Sequence, residues 1–343
     1  EDVFLFNVDP NLGAYVEHQL NTGSFGNFAA LDVDTLVSQI DQDGEAGLNS
    51  TSRRVASNEV ALRVYYDSAE SLKVFGRSGD DLFITDDNAS PDLVEMEVYG
   101  EAGNDEFFVG NVLATAIDAL TGITYVTDIT QGVSVASKFF GGTGNDYFEV
   151  NRNAAEISLL GEDGDDTFYL KAHLERNADG STSELEIDEI TVSSGDEDGN
   201  VNENDADALF SYVTNDKVNI NGGAGFDSLV IAGTAIADTF YVYSEARDNG
   251  DGTFTDIQRI YGAGLIVEEV EEIERLVLIT GAGDDTVYVY GTVPNLQLLI
   301  NTGSGDDTVY FGGEAQTFTV QIPNGSSETK TMAANYDLGL SLI

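Results

Sequence analysis

Apolar and polar residues alternate on both sides of a recurring glycine-rich segment. Seven aspartates close that segment: Asp81, Asp105, Asp146, Asp166, Asp227, Asp285 and Asp307. Two residues after each stands Phe83, Phe107, Phe148, Phe168, Leu229, Val287 or Val309. Before the glycines stand Val74, Val98, Phe139, Leu159, Ile220, Leu278 and Ile300. Two positions further back come Leu72, Met96, Ile157, Val218, Leu276 and Leu298, with Ser137 the polar exception. Period two puts alternate side chains on one face of a strand. The pattern predicts an all-β fold built from a repeated unit of strand, glycine turn and strand. Asp2-Val3-Phe4 and Asp238-Thr239-Phe240 keep only the end of the motif and read as degenerate copies.

Successive aspartate numbers differ by 24, 41, 20, 61, 58 and 22. These approximate one, two, one, three, three and one times about twenty residues, a length that suits one coil of a solenoid. The expected architecture is a parallel β-solenoid, resembling a β-helix or β-roll, with irregular loop insertions. Its aspartates would stack roughly 4.8 Å apart. Two bare carboxylates at that spacing in a partly dry site repel by roughly a few kcal/mol. Calcium relieves the repulsion, because it accepts six to eight oxygens in loose geometry and mixes carboxylates with backbone carbonyls. Glycines permit the φ values that turn those carbonyls inward.

Gly141-Gly142-Thr143-Gly144-Asn145-Asp146-Tyr147-Phe148 is the fullest copy, and Gly161–Phe168 and Gly100–Phe107 are close to it. In the last two copies threonine takes the first glycine slot, at Thr280 and Thr302. These turns resemble the nonapeptides of the repeat-in-toxin (RTX, haemolysin-type) calcium-binding family, whose pattern is Gly-Gly-x-Gly-x-Asp-x-apolar-x. The resemblance implies Ca2+ held between coils by Asp81, Asp105, Asp146, Asp166, Asp227, Asp285 and Asp307. It adds their neighbours Asp80, Asn104, Asn145, Asp165, Asp284 and Asp306, and the turn glycines Gly79, Gly103, Gly144, Gly164, Gly225, Gly283 and Gly305. Family repeats run in unbroken tandem, whereas here single motifs are spaced out, which favours a wider solenoid with calcium along one edge. The segment from Val218 to Val289 also resembles repeats of very large secreted bacterial surface proteins.

The chain then divides into a solenoid start with an irregular insertion (1–57), calcium-binding coils (58–170), an acidic insertion (171–217), further calcium-binding coils (218–313), and a strand segment or assembly tail (314–343). Asp32 to Ile40 reads as a short helix, Ile266 to Glu274 as a strand, and Thr317 to Ile322 as a strand. Asp41–Gly44, Ser193–Asn200 and Asp248–Gly252 are acidic and glycine-rich but lack the spacing of an EF-hand loop, so they read as solvated loops.

With 62 acidic and 14 basic residues the formal charge is -48, which argues against nucleic acid and anionic membrane as partners. Halophilic or solubilising acidity explains part of that charge, but many carboxylates are concentrated in the turns. The absence of cysteine removes disulfide and thiol chemistry. No transmembrane run or targeting motif is visible, and the opening inside a repeat reads as a fragment of a longer protein. His18 and His173 lie in unrelated contexts, and no nucleophile elbow, zinc-protease or phosphate-loop motif occurs. A catalytic site occurs once, whereas a structural ligand recurs in every unit, so the expectation is a non-enzymatic module. The expected role is an extracellular, calcium-dependent structural or adhesive module of a bacterial surface protein, surface layer or matrix filament. Its partners would be calcium, further copies of itself, or other surface and matrix components, including polysaccharide. The alternative is a secreted polysaccharide-active β-helix enzyme, an epimerase or lyase.

Overall fold

The computed structural model describes residues 2–9, 13–20, 61–66, 69–177, 209–323 and 325–335. The segments Asp32–Ile40, Asp41–Gly44 and Ser193–Asn200 lie outside the described residues. The fold is all-β and consists mainly of parallel strands.

Two ten-stranded sheets carry the repeat. In the first sheet, strands Asp2–Asp9, Leu82–Thr85, Glu106–Val109, Tyr147–Val150, Thr167–Lys171, Ser228–Thr234, Arg275–Gly281 and Gln297–Asn301 run parallel in that order. Gly13–Leu20 and Ala61–Tyr65 extend it by antiparallel pairing. In the second sheet, Ser71–Ser78, Glu95–Ala102, Ser137–Thr143, Ile157–Asp163, Lys217–Ala224 and Leu265–Glu271 run parallel. Phe254–Gly262 is antiparallel to its neighbours, and Thr239–Asp248, Thr286–Val289 and Thr308–Phe311 complete that sheet.

Side-chain alternation explains why the sheets face one another. Phe83, Phe107, Phe148 and Phe168 are in register on the first sheet and fully buried. Their rings stack at 4.7–4.8 Å, the spacing of adjacent strands, and the stack continues to Phe4. Val98, Phe139, Leu159 and Ile220 form the matching row of the second sheet, and Phe107 meets Phe139 edge-on at 6.1 Å. All of these belong to one apolar core. Ser137 is tolerated in the core row because its hydroxyl accepts from Asn88 Nδ2 at 3.0 Å and donates to the Val135 carbonyl at 2.7 Å.

The spacing of the aspartates reads differently once the pairing is known. Asp105 and Asp146 belong to adjacent units, although 41 residues apart, because Glu95–Ala102 pairs directly with Ser137–Thr143. The extra residues form the hairpin Val112–Ile117 and Thr124–Ile129 beside the sheets. Asp166 and Asp227, 61 residues apart, are likewise neighbours, with Leu174–Arg176 and Phe210–Tyr212 among the intervening residues. The expectation of two and three coils for these intervals is corrected to one step each, because insertions lengthen the chain without adding a turn. Ile266–Glu274 falls largely in the strand Leu265–Glu271, and Thr317–Ile322 falls in the hairpin Gln316–Gln321 with Ser327–Met332.

Candidate metal centre along the turns

The turns form two columns. Through Asp227, the chain passes from the second sheet to the first at Asp81, Asp105, Asp146, Asp166 and Asp227. Strand Ser228–Thr234 then runs straight into a turn at its other end, and Asp238 leads the chain back to the second sheet. From there the turns at Asp285 and Asp307 also cross from the first sheet to the second. The expected single edge is therefore corrected to two, with Asp285 and Asp307 away from the other five.

In each column an aspartate carboxylate reaches back to the preceding unit. The backbone N–H groups of Asp2, Asp81, Asp105, Asp146 and Asp166 donate to Oδ1 of Asp81, Asp105, Asp146, Asp166 and Asp227 at 2.6–2.8 Å. The N–H of Asp227 donates to Glu274 Oε2 at 2.8 Å, so a glutamate ends this ladder. In the second column Asp238 N–H donates to Asp285 Oδ1 at 2.8 Å and Asp285 N–H to Asp307 Oδ1 at 3.0 Å. Both degenerate motif copies, Asp2 and Asp238, thus hold ladder positions. Glu274 was missed, although Glu274-Arg275-Leu276 repeats the acidic-x-apolar signal that marks the end of every turn.

The preceding residue in each turn builds an exposed outer ladder of opposite sense. Asn104, Asn145, Asp165 and Phe226 N–H groups donate to Oδ1 of Asp80, Asn104, Asn145 and Asp165 at 2.8–3.0 Å. Asp306 N–H donates likewise to Asp284 Oδ1 at 2.7 Å. Asparagine and aspartate interchange here because only an acceptor oxygen is required.

The glycine two residues before each aspartate allows the units to approach so closely. Gly103, Gly144, Gly164 and Gly225 have φ of 131–153°, and Gly79, Gly283 and Gly305 share the left-handed backbone. A Cβ on Gly164 would lie 1.5 Å from the Gly144 carbonyl oxygen, and one on Gly144 1.7 Å from that of Gly103. No side chain fits between these backbones.

The first glycine of the motif sets the environment of the second carboxylate oxygen. A Cβ on Gly100 would stand 2.2 Å from Asp105 Oδ2 and 2.5 Å from the Gly141 carbonyl oxygen. Gly141 and Gly161 place Asp146 and Asp166 Oδ2 the same way against the carbonyls of Gly161 and Gly222. At Gly222 the neighbours are Asp227 Oδ2 and the Glu272 carbonyl. Oδ2 of Asp105, Asp146, Asp166 and Asp227 is buried and accepts no hydrogen bond. Burial accordingly pushes these carboxyls up, Asp105 and Asp166 to about 7 and Asp146 and Asp227 to about 6. The ladder N–H opposes that shift only partly, and acidic neighbours reinforce it.

Each Oδ2 thus shares a small space with a carbonyl oxygen of the next unit and has no donor. This set of hard oxygens suits calcium and not a softer transition metal. Among the described residues no three histidine, aspartate or glutamate side chains converge on one point. The remaining ligands would therefore come from turn carbonyls and water, which calcium accepts. His173 takes no part: it is held neutral by burial, pushed down to about 4, with Nε2 2.9 Å from Asn151 Oδ1.

Compared with known proteins, the chain matches no family model, no curated protein and no solved structure.

Proposed function

We propose that the chain is a calcium-stiffened structural module, a parallel β-solenoid belonging to an extracellular bacterial surface protein, surface layer or matrix filament. The observation that carries this reading is the run of four buried Oδ2 atoms, each set against a carbonyl of the next unit. Burying an ionised carboxylate without a counter-charge is costly, and a divalent ion between units supplies that charge. Asp105, Asp146, Asp166 and Asp227, with carbonyls of Gly141, Gly161, Gly222 and Glu272, would hold the ions. Bound calcium supplies positive charge and coordination that lock neighbouring units together.

Weak sites of ~0.1–1 mM fill only outside a cell, which accounts for an extracellular setting. At roughly 100-fold excess each independent ion adds about 2.7 kcal/mol. Self-association is favoured by the outermost strands Gln297–Asn301 and Thr308–Phe311, which leave Leu299, Tyr310 and Phe311 exposed. An enzyme acting on acidic polysaccharide is disfavoured by the groove beside the first column, whose walls include Glu101, Glu162, Asp163 and Glu272. The reading is tested by calorimetric calcium titration of the full chain, with thermal melts in calcium and in chelator. Saturable calcium uptake and a melting point raised by more than about 10 °C are expected. Identical melts with and without chelator would sink it.

A further inference from the structure

We infer that the Asp238 and Asp285 turns of the second column are metal-independent, because at Asp285 the Thr280 hydroxyl occupies the place that an ion would serve in the first column. The inference rests on the calcium reading of the first column and assigns which motif copies take the ion. Asp285 occupies the same ladder position as Asp166, and its Oδ1 accepts the same kind of N–H from the preceding unit. The difference lies five residues earlier, where the first column has Gly76, Gly100, Gly141, Gly161 and Gly222 and this turn has Thr280.

Thr280 is fully buried, and its Oγ1 hydrogen-bonds Asp285 Oδ2. The same oxygen lies 2.9 Å from the Thr302 carbonyl of the next unit. One hydroxyl therefore stands between the two acceptors that, at the glycine turns, face each other with no donor. Asp285 Oδ2 thus has the donor that Asp105, Asp146, Asp166 and Asp227 Oδ2 lack, and the hydroxyl stands where an ion would bridge it to the next carbonyl. Asp238, the first member of this column, reaches the same result by another route. Its Oδ2 accepts the Thr234 N–H at 2.6 Å, and its Oδ1 accepts from the Thr234 hydroxyl at 3.0 Å and the Tyr212 hydroxyl at 2.8 Å. Thr302 repeats the threonine before Asp307. On this inference Asp285, with its turn neighbours Asp284 and Gly283, holds no ion and is kept by hydrogen bonds instead.

Two substitutions at one position separate the alternatives. Thr280→Val keeps the bulk and removes the donor, leaving Asp285 Oδ2 buried and unsatisfied. It is expected to melt about 2–6 °C below the parent in chelator, with calcium failing to restore the loss. Thr280→Gly reopens the space and recreates the arrangement at Gly161. Calcium titration should then count one more ion per chain than the parent, and calcium should recover the melting point. Asp285→Asn should leave the parent calcium count unchanged, whereas Asp166→Asn should lower it. An unchanged chelated melt for Thr280→Val, or equal losses of calcium from Asp285→Asn and Asp166→Asn, would overturn the inference. If the parent takes up no calcium at all, the proposed function fails, and the chelated melt of Thr280→Val still decides whether the hydroxyl supports this column.

Discussion

The two columns of turns use one motif and differ in how its second carboxylate oxygen is satisfied. At Asp105, Asp146, Asp166 and Asp227, Oδ2 is buried beside the first-slot glycine without a donor. At Asp285 the Thr280 hydroxyl in that slot supplies the donor, and at Asp238, whose first slot is also a glycine (Gly233), the backbone N–H of Thr234 supplies it. An identical Oδ1 ladder runs through both, so the ladder alone gives no reason to expect a metal. The difference shows that the chemistry of each turn depends less on its aspartate than on which groups stand opposite its second oxygen.

The largest expected effect is on the pH dependence in chelator. Burial pushes the carboxyls of Asp105, Asp146, Asp166 and Asp227 up to about 6 or 7 from an ordinary value of 3.8. A raised folded value means that the proton is held more tightly in the native state. The stabilisation is therefore fully present below about pH 4 and is lost as pH rises through about 6–7. Each group contributes roughly 1.4 kcal/mol per pH unit at most across that window. Metal-free protein should accordingly melt highest near pH 4–5 and lose many degrees by pH 8. Calcium, which binds the deprotonated form, should flatten this slope. Asp238, pushed up to about 7 by burial despite its three donors, should keep a residual slope in calcium that Asp238→Asn removes. A residual slope unaffected by that substitution would break the comparison.

Backbone packing inside the columns gives the next effect. Gly164→Ala should cost more than about 4 kcal/mol or prevent folding, because its Cβ would meet the Gly144 carbonyl oxygen at 1.5 Å. Gly250→Ala, where nothing lies within 4 Å but φ is 79°, should cost about 1 kcal/mol. Urea unfolding of the two variants measures the difference, and near-equal losses would show that the units are not stacked this tightly. The smallest effect belongs to the outer ladder. Asp165→Asn should change stability by less than about 0.5 kcal/mol and leave calcium uptake intact, since Asn104 and Asn145 already accept the same N–H bond. A loss of bound calcium in this variant would instead place the ion on the outer row.

Much of this architecture was legible in the residues. Alternation around Phe107, Phe148 and Phe168 identified strands and their inward faces, because period two is a property of each extended segment on its own. The glycine two residues before each aspartate marked a left-handed turn for an equally local reason. The stacking of aspartates followed from recurrence alone. Three features were not legible. Apolar-x-apolar flanks the turns at Asp227 and Asp285 on both sides, so nothing in Leu276 or Leu278 says that their strand joins the sheet of Leu229. The hairpin of Val112–Ile129 and the insertion after Lys171 lengthen the chain between adjacent units, so counting residues overestimated the number of steps. Glu274 escaped notice because its turn lacks the glycines of the others.

The amino-acid order by itself thus determined the repeating unit, its buried face and the turn that closes it, all consequences of interactions within a few residues. Only the tertiary structure decided which units are neighbours, that the turns fall into two columns, and which carboxylate oxygens find a donor. Those outcomes depend on backbone pairing between distant strands, and backbone N–H and C=O groups are the same whatever side chain they carry.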